Sequence, residues 1–141
     1  SPRRSGDFVT TRIAAAAAVA VVGKGAPIRL KNVKAIVDWG AAKDYVEAMW
    51  LMLQQPSGDE YVISSGVPRT VWEFAETAFK CVGLSPEKLV FQEKNVVPQA
   101  TVPYVGDNSK IRKVCGWVPA TPFGEMVGEM VDYQLKCLKN G

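Results

Sequence analysis

The sequence contains no histidine among its 141 residues, and this absence removes several kinds of chemistry at once. Histidine is the commonest general base and the commonest neutral metal ligand in proteins. The three cysteines, Cys81, Cys115 and Cys137, are an odd number and form no CxxC pair. The sequence therefore predicts neither a metal site nor a disulfide framework. A reducing compartment is expected, either cytoplasm or an organelle interior.

Long apolar runs and strong charge are also missing. The longest apolar run, residues 13–22, is well short of the roughly 20 residues that a membrane-spanning helix needs. It also lacks the flanking charge and cleavage site of a signal peptide. The net charge of +3 is small, and no basic run is interleaved with aromatic residues, so nucleic acid is not an expected partner. The chain begins at Ser1, which leaves processing, truncation and an incomplete sequence all open.

The residues that are present predict a mixed α/β fold with more helix than strand. A hydrophobic content of 48% is ordinary for one domain, residues 1–141, with a modest core. Apolar spacing and stop signals predict helices over residues 8–22, 41–55, 71–81, 108–114 and 123–138. Short strands are expected at residues 27–30, 61–64 and 89–92, and residues 96–105 are expected to be extended.

Local signals mark where some of these helices begin and end. Gly23 and Gly25 stop the first helix. Thr70 followed by Glu73 is the pattern of a capping box at the start of the third. Asn108 or Ser109 is expected to cap the fourth.

The second helix carries more apolar surface than a helix on the outside of a domain needs. The spacing places Tyr45, Met49, Met52 and Leu53 on one side, and Val46, Trp50 and Leu51 extend the apolar surface around the axis. Tyr45, Met49, Trp50, Met52 and Leu53 are therefore candidate residues of an interface with another protein surface.

Several segments of the chain, in order, resemble one enzyme family. They are SPRR with FVT at residues 1–10, DWG followed by AKDYVEAMWLMLQQ at residues 38–55, YVI at residues 61–63, GD with GW at residues 106–117, and EMV at residues 125–127. These segments resemble the GDP-mannose 4,6-dehydratases, which are extended members of the short-chain dehydrogenase/reductase superfamily. The block at residues 38–55 is the most specific of them.

The resemblance implies an NADP-dependent dehydration of GDP-mannose to a 4-keto-6-deoxy sugar. In that family a tyrosine of a YxxxK pair acts with a threonine and a glutamate, and a glycine-rich turn holds the cofactor pyrophosphate. These elements precede the segment at which this chain begins. The expected fold is therefore a partial extended reductase fold. It is the C-terminal substrate-binding part, helix-rich with a few short strands, and the Rossmann half that binds the cofactor is absent.

The chain carries no motif for the chemical step. Lysine is absent four residues after each tyrosine, where the residues are Met49, Ser65, Asn108 and Cys137. The Gly23-Lys24-Gly25 stretch follows a helix and does not open one, so it is no dinucleotide fingerprint. No catalytic residue and no cofactor are expected for this chain alone, and NADP is implied only if the missing half is present.

The substrate side departs from the family pattern at four positions. Val37 replaces an arginine expected on the diphosphate, Ala41 replaces a histidine, and Val97 and Ala100 replace the arginine and glutamate near Pro98. Charge-assisted contacts contribute about 1.5–3 kcal/mol each, so the loss of two arginines would weaken binding by about two to four powers of ten.

Four residues remain as candidate contacts by resemblance. Arg12, which stands for a family lysine, and Asn32 are the candidate contacts to a GDP-sugar. Arg3 and Arg4 are expected near the cofactor.

Two hypotheses follow from these observations. In the first, the chain is a degenerate, non-catalytic domain reused as a structural or interaction subunit of a larger assembly, such as an organellar complex. In the second, it is the C-terminal piece of an active NADP-dependent GDP-mannose 4,6-dehydratase whose N-terminal half is missing from this chain.

Overall fold

A computed structural model of the chain describes residues 2, 7–23, 25–93 and 103–140. Within these residues there are five α-helices and four short strands. The helices are α1 (Val9–Val21), α2 (Ala42–Leu53), α3 (Val71–Cys81), α4 (Ser109–Cys115) and α5 (Phe123–Asn140). The strands are β1 (Ile28–Leu30), β2 (Ile36–Asp38), β3 (Pro68–Thr70) and β4 (Val90–Gln92), and a 3-10 turn covers Pro86–Lys88.

The main core lies between α1, α3 and α5, which we call the three-helix region. Helix α1 contributes small side chains, with Ala14, Ala17 and Ala18 all fully buried. Alanine combines high helix propensity with little bulk, so the neighbouring helices can approach α1 closely. Phe74 and Phe79 of α3 fill the space between them, both at most 1% exposed.

Two small sheets connect the helices. Strands β1 and β4 are parallel, with Ile28 opposite Val90. Strands β2 and β3 are antiparallel, with Val37 opposite Arg69. Tyr104 adds an isolated parallel bridge on Val37, so that β2 is paired on both sides at this residue.

A second, smaller cluster lies between α2, α4 and the residues after α4, and we call it the α2 region. Its buried members are Ala48, Ile111 and Trp117. The indole nitrogen of Trp117 donates to the backbone oxygen of Asp44 at 3.0 Å. Gly116 ends α4 in the left-handed conformation with φ of 67°, which turns the chain so that Trp117 folds back beneath α2.

Most of the predicted elements are confirmed, with bounds shifted by a few residues. All five helices are present. The capping box of α3 forms as predicted, with Thr70 Oγ1 accepting from the Glu73 N–H and Glu73 accepting from the Thr70 N–H. Gly23 follows α1 with φ of 75°, as expected for a helix stop. At α4 the cap residue is Asn108, although its side chain donates to the Ser64 oxygen and does not cap the helix.

The strand predicted at residues 61–64 is wrong. No strand ladder includes it among the described residues. Tyr61 and Ile63 pack against the cluster around Trp117, and the Ser64 Oγ donates to the Gly106 oxygen at 2.9 Å. Apolar sequence alone does not make a strand, because the backbone also needs a neighbouring strand to pair with.

Strands β2 and β3 were not predicted from the sequence. The part of the predicted extended stretch at residues 96–102 lies outside the described residues. Within the described ranges, no helix has the length and apolar character required to cross a bilayer.

Candidate functional site

Arg12 and Asn32, the two candidate substrate contacts, both lie beside β1. Arg12 is exposed on α1, and its Nη2 donates to the Arg29 backbone oxygen at 2.9 Å. Asn32 lies two residues beyond β1, and its Oδ1 accepts from the Lys34 N–H at 3.0 Å. Both side chains therefore have local partners that hold them near the same strand. Their role in binding stays a prediction.

The neighbourhood of these two residues is basic. Arg29, Lys31 and Lys34 are all exposed on β1 and the turn that follows it. Clustered exposed cations raise the local concentration of anions near a protein surface. This edge of the molecule is therefore suited to a phosphorylated ligand.

Val37 and Ala41 occupy positions where an arginine and a histidine are expected by resemblance. Val37 is half-buried in the middle of β2. Ala41 is 4% exposed and belongs to the main core. The positions are thus filled by apolar side chains that contribute to packing.

Arg69 faces Val37 across the β2–β3 ladder. Its guanidinium lies over the Phe123 ring, 5.0 Å from the centroid, and Nη1 is 3.5 Å from Glu73 Oε1. Arg69 also lines a cavity of about 200 Å³ together with Trp39, Thr121 and Phe123.

Asp38, on the opposite side of β2, connects three segments of the chain. Its carboxylate accepts hydrogen bonds from the backbone N–H groups of Ser65 and Gly66 at 2.9 Å and of Gly106 at 3.2 Å. The Ser65 hydroxyl donates to it as well. A carboxylate has room for about four such bonds, so Asp38 is fully used in holding these loops.

Tyr45 packs beside this cluster, and its ring closes against Gly40. A Cβ atom at Gly40 would lie 2.3 Å from the Tyr45 hydroxyl oxygen, so this position requires glycine. Burial, reinforced by the charge of Asp38, raises the pKa of Tyr45, while a hydrogen bond with the Ser65 backbone acts in the other direction. Tyr45 is therefore a neutral packing residue at physiological pH.

Asp44 connects α2 to the loop that precedes α5. The residue is 4% exposed, and its carboxylate accepts from the Ala120 N–H at 3.0 Å, the Thr121 N–H at 2.8 Å and the Thr121 hydroxyl at 2.7 Å. Burial alone would raise the pKa of Asp44, but the hydrogen bonds from Thr121 and Ala120 outweigh it and hold the pKa below its ordinary value. The carboxylate is thus ionised and satisfied inside the fold.

The five interface candidates on α2 do not share one environment. Met49, Trp50 and Leu53 are 52%, 59% and 82% exposed, and Val46 beside them is 63% exposed. Tyr45 and Met52 are half-buried and pack against the small cluster around Trp117. The expectation that Tyr45 and Met52 lie with Met49 and Leu53 on one open face is therefore wrong, because the helix turns their side chains towards α4. Val46, Met49, Trp50 and Leu53 form the exposed apolar face of α2.

Comparison with known proteins decides the family. The sequence profile of the GDP-mannose 4,6 dehydratase family matches residues 1–130. GDP-mannose 4,6 dehydratase 1 of Arabidopsis thaliana is 41% identical over 140 residues, which cover 99% of this chain and 39% of the plant protein. GDP-mannose 4,6 dehydratase of Dictyostelium discoideum is 36% identical over 159 residues and is covered to 45% of its length. The chain belongs to the GDP-mannose 4,6-dehydratase family.

The fold agrees with this assignment. The RMD protein of Pseudomonas aeruginosa complexed with NADPH superposes with a TM-score of 0.85 and 16% identity over 95% of this chain and 44% of that one. The expected partial extended short-chain dehydrogenase/reductase fold is confirmed. The chain spans 39% and 45% of the length of these two dehydratases, which is consistent with a C-terminal piece.

The glycines that follow α1 do not form a pyrophosphate-binding loop. Gly23 and Gly25 lie after the end of α1, whereas a pyrophosphate loop must open a helix so that its free N–H groups point at the phosphates. A Cβ at Gly25 would be 2.5 Å from the Ala20 Cα, so this glycine allows the chain to return along α1. Arg3 and Arg4, expected near the cofactor, lie outside the described residues, as do Val97 and Ala100. No group of acidic, cysteine or histidine side chains within the described ranges could hold a metal ion.

Sequence reasoning missed Asp38, Asp44 and Arg69 as individual residues. The first two belong to the specific DWG and AKDYV segments. The resemblance therefore included them, but it did not indicate which contacts they make. Arg69 gave no signal, because its position opposite Val37 depends on the pairing of two strands that the sequence did not predict.

Proposed function

We propose that this chain is the C-terminal, substrate-side piece of a GDP-mannose 4,6-dehydratase and contributes contacts to the nucleotide diphosphate of GDP-mannose. The observation that carries the proposal is the family match over residues 1–130, together with 41% identity to a plant dehydratase across nearly the whole chain. The chemical step and NADP belong to the N-terminal part of the enzyme, for which this chain has no equivalent. The chain's own task is to bind and orient the substrate.

The basic edge around β1 supports this role. Arg12 and Asn32 are held beside β1, and Arg29 and Lys31 add exposed positive charge. The Asn32 bond to Lys34 uses the amide oxygen, so the amide nitrogen is the atom that would donate to a ligand. Together these groups offer the donors that a diphosphate and a nucleoside require.

A second candidate function is supported by Val37 and Ala41. Their apolar side chains fill positions of polar family residues, and Ala41 is buried in the main core. In this candidate the chain is a non-catalytic structural or interaction subunit, and the exposed apolar face of α2 is the surface through which it binds other protein chains. Nucleotide-sugar binding would then be lost.

A chimera tests the two candidates against each other. The chain is fused behind the N-terminal part of the Arabidopsis thaliana relative, and conversion of GDP-mannose to the 4-keto-6-deoxy sugar is measured with NADP present. We expect turnover, and we expect Arg12→Gln to weaken apparent substrate affinity by about ten- to a hundredfold, since it removes one charge-assisted contact.

A matched chimera carrying Val37→Arg and Ala41→His provides the control. If the folded native chimera is inactive and the double variant is active, the first candidate is rejected and the degenerate subunit is favoured. Activity of the native chimera with no effect of Arg12→Gln would keep the dehydratase assignment but remove Arg12 from the binding surface.

A further inference from the structure

Arg69 is placed on β3 so that its side chain shares one face of the sheet with Val37. The two residues are directly opposite in the antiparallel β2–β3 ladder, and such pairs project to the same side. Trp39 lies two residues after Val37 and projects to that side too. Its ring stacks with Phe123 at 6.4 Å, and the Arg69 guanidinium lies over the same Phe123 ring.

Arg69, Trp39 and Phe123 line a cavity of about 200 Å³ with a mostly apolar wall. Ser65, Thr121 and Arg69 supply its polar groups. The volume is below the roughly 300–1,000 Å³ of sites that enclose a whole drug-sized ligand. The cavity therefore suits one end of a larger ligand.

The guanidinium has an unused donor at this cavity. Nε of Arg69 is buried and has no hydrogen-bond partner in the part of the chain that the structure describes. Glu73 approaches Nη1, at the far side of the guanidinium from the Nε–H. Nε and Nη2 form the pair of parallel donors with which an arginine binds two oxygens of a phosphate or carboxylate. Buried donors are normally paired, so this one indicates a missing acceptor.

We propose that the Arg69 guanidinium binds an oxyanion in this cavity, and that in the assembled enzyme the oxyanion is a phosphate group of the nucleotide diphosphate. The assignment to a nucleotide rests on the proposed function, whereas the oxyanion site rests on the geometry alone. Val37, the cross-strand neighbour, is the position where the family resemblance has a diphosphate arginine. The guanidinium is therefore supplied from β3 in place of β2.

Binding of inorganic pyrophosphate to the 141-residue chain tests the site. Benzoate is used as a carboxylate ligand for comparison, and sodium chloride at equal ionic strength is the control without a specific ligand. Calorimetry should detect pyrophosphate binding, and the Arg69 side-chain Nε–H resonance should shift in the NMR spectrum during the titration. Arg69→Gln should weaken binding by at least about tenfold. Arg69→Lys should lose part of the affinity, because lysine keeps the charge without the paired donors. Arg112→Gln, the same change at an exposed arginine of α4, should leave binding unchanged.

Three results would overturn the proposal. They are equal pyrophosphate affinity in Arg69→Gln and Arg112→Gln, an Nε–H resonance of Arg69 that does not move at saturation, and binding of benzoate in preference to pyrophosphate. The NMR measurement on the unchanged chain decides the matter even if a variant fails to fold.

The two proposals can fail separately. An inactive chimera with Arg69-dependent pyrophosphate binding keeps the oxyanion site and rejects the dehydratase role. An active chimera that is insensitive to Arg69→Gln keeps the dehydratase role and rejects the assignment of the oxyanion to the nucleotide diphosphate.

Discussion

The three-helix region and the α2 region bury their apolar surface to very different degrees. Helix α1 has buried residues on successive turns, and Phe74 and Phe79 of α3 are almost completely enclosed. Helix α2 buries only Asp44 and Ala48, while Val46, Met49, Trp50 and Leu53 are more than half exposed. The three-helix region therefore holds most of the buried core, whereas the α2 region has an exposed apolar outer face.

This difference matches the share of the dehydratases that the chain spans. The face of α2 is apolar although it is exposed, and such contiguous patches mark interaction surfaces in soluble proteins. The chain covers 39% of its plant relative, so more than half of that enzyme has no counterpart here. Stability measurements should accordingly be sensitive in one region and insensitive on the outer face of the other.

The largest effect is expected from Phe74→Ala in the three-helix region. Phe74 is fully buried and makes edge contacts with Trp39 at 5.2 Å and Phe123 at 5.8 Å. The cavity left behind should lower the free energy of unfolding by about 3–5 kcal/mol, as measured by urea denaturation. Phe74→Leu, which retains most of the volume, should cost less than about 1.5 kcal/mol. A similar loss in both variants would show that ring volume is not what stabilises this core.

An intermediate effect is expected from Asp44→Asn, which breaks the link between the two regions. The amide cannot accept all three hydrogen bonds from Ala120 and Thr121, so the free energy of unfolding should fall by about 1–3 kcal/mol at pH 7.

The same substitution should alter the pH dependence. The pKa of Asp44 is lower in the folded chain than its ordinary value of 3.8, so its stabilisation is present above that pH. It is lost as pH falls through the lower folded pKa. Acid denaturation curves of the parent chain and Asp44→Asn should therefore converge below about pH 4. A constant difference between the two curves down to low pH would exclude the carboxylate as the cause.

The smallest effect is expected from Trp50→Ala on the outer face of α2. Trp50 is 59% exposed, so its loss should change the free energy of unfolding by no more than about 0.5 kcal/mol. The matched variant, Trp117→Ala, removes a tryptophan that is 2% exposed in the same region and should cost about 3–5 kcal/mol. If Trp50→Ala were as destabilising as Trp117→Ala, the outer face would not be an open surface.

The helices could be predicted because their signals are local. The alanine run of α1, the Thr70 and Glu73 pair and the glycine after α1 each act within one or two turns. The strands were harder, because three-residue strands exist only through their pairing. Residues 61–64 have the apolar composition of a strand, but no strand pairs with them in the described chain. Strands β2 and β3 pair with each other although their sequences lack that composition.

The residues of the candidate site also differ in whether local sequence could predict them. Arg12 and Asn32 could be named from the resemblance, and Arg12 follows its FVT segment. Arg69 could not, because its relation to Val37 spans 32 positions of sequence and follows only from strand register. The sides of α2 were also misassigned in part, since Tyr45 and Met52 turn inward towards Trp117, a residue far away in sequence.

The carboxylate of Asp38 has a consequence for the order of events during synthesis. Its partners Ser65 and Gly106 lie 27 and 68 positions further along the chain. At roughly 5–20 residues per second, Gly106 is added roughly 3–14 seconds after Asp38. The capping box of α3 joins residues only three positions apart and can form as soon as its turn emerges from the ribosome. The loops around Asp38 therefore take their final positions later than the capping box of α3.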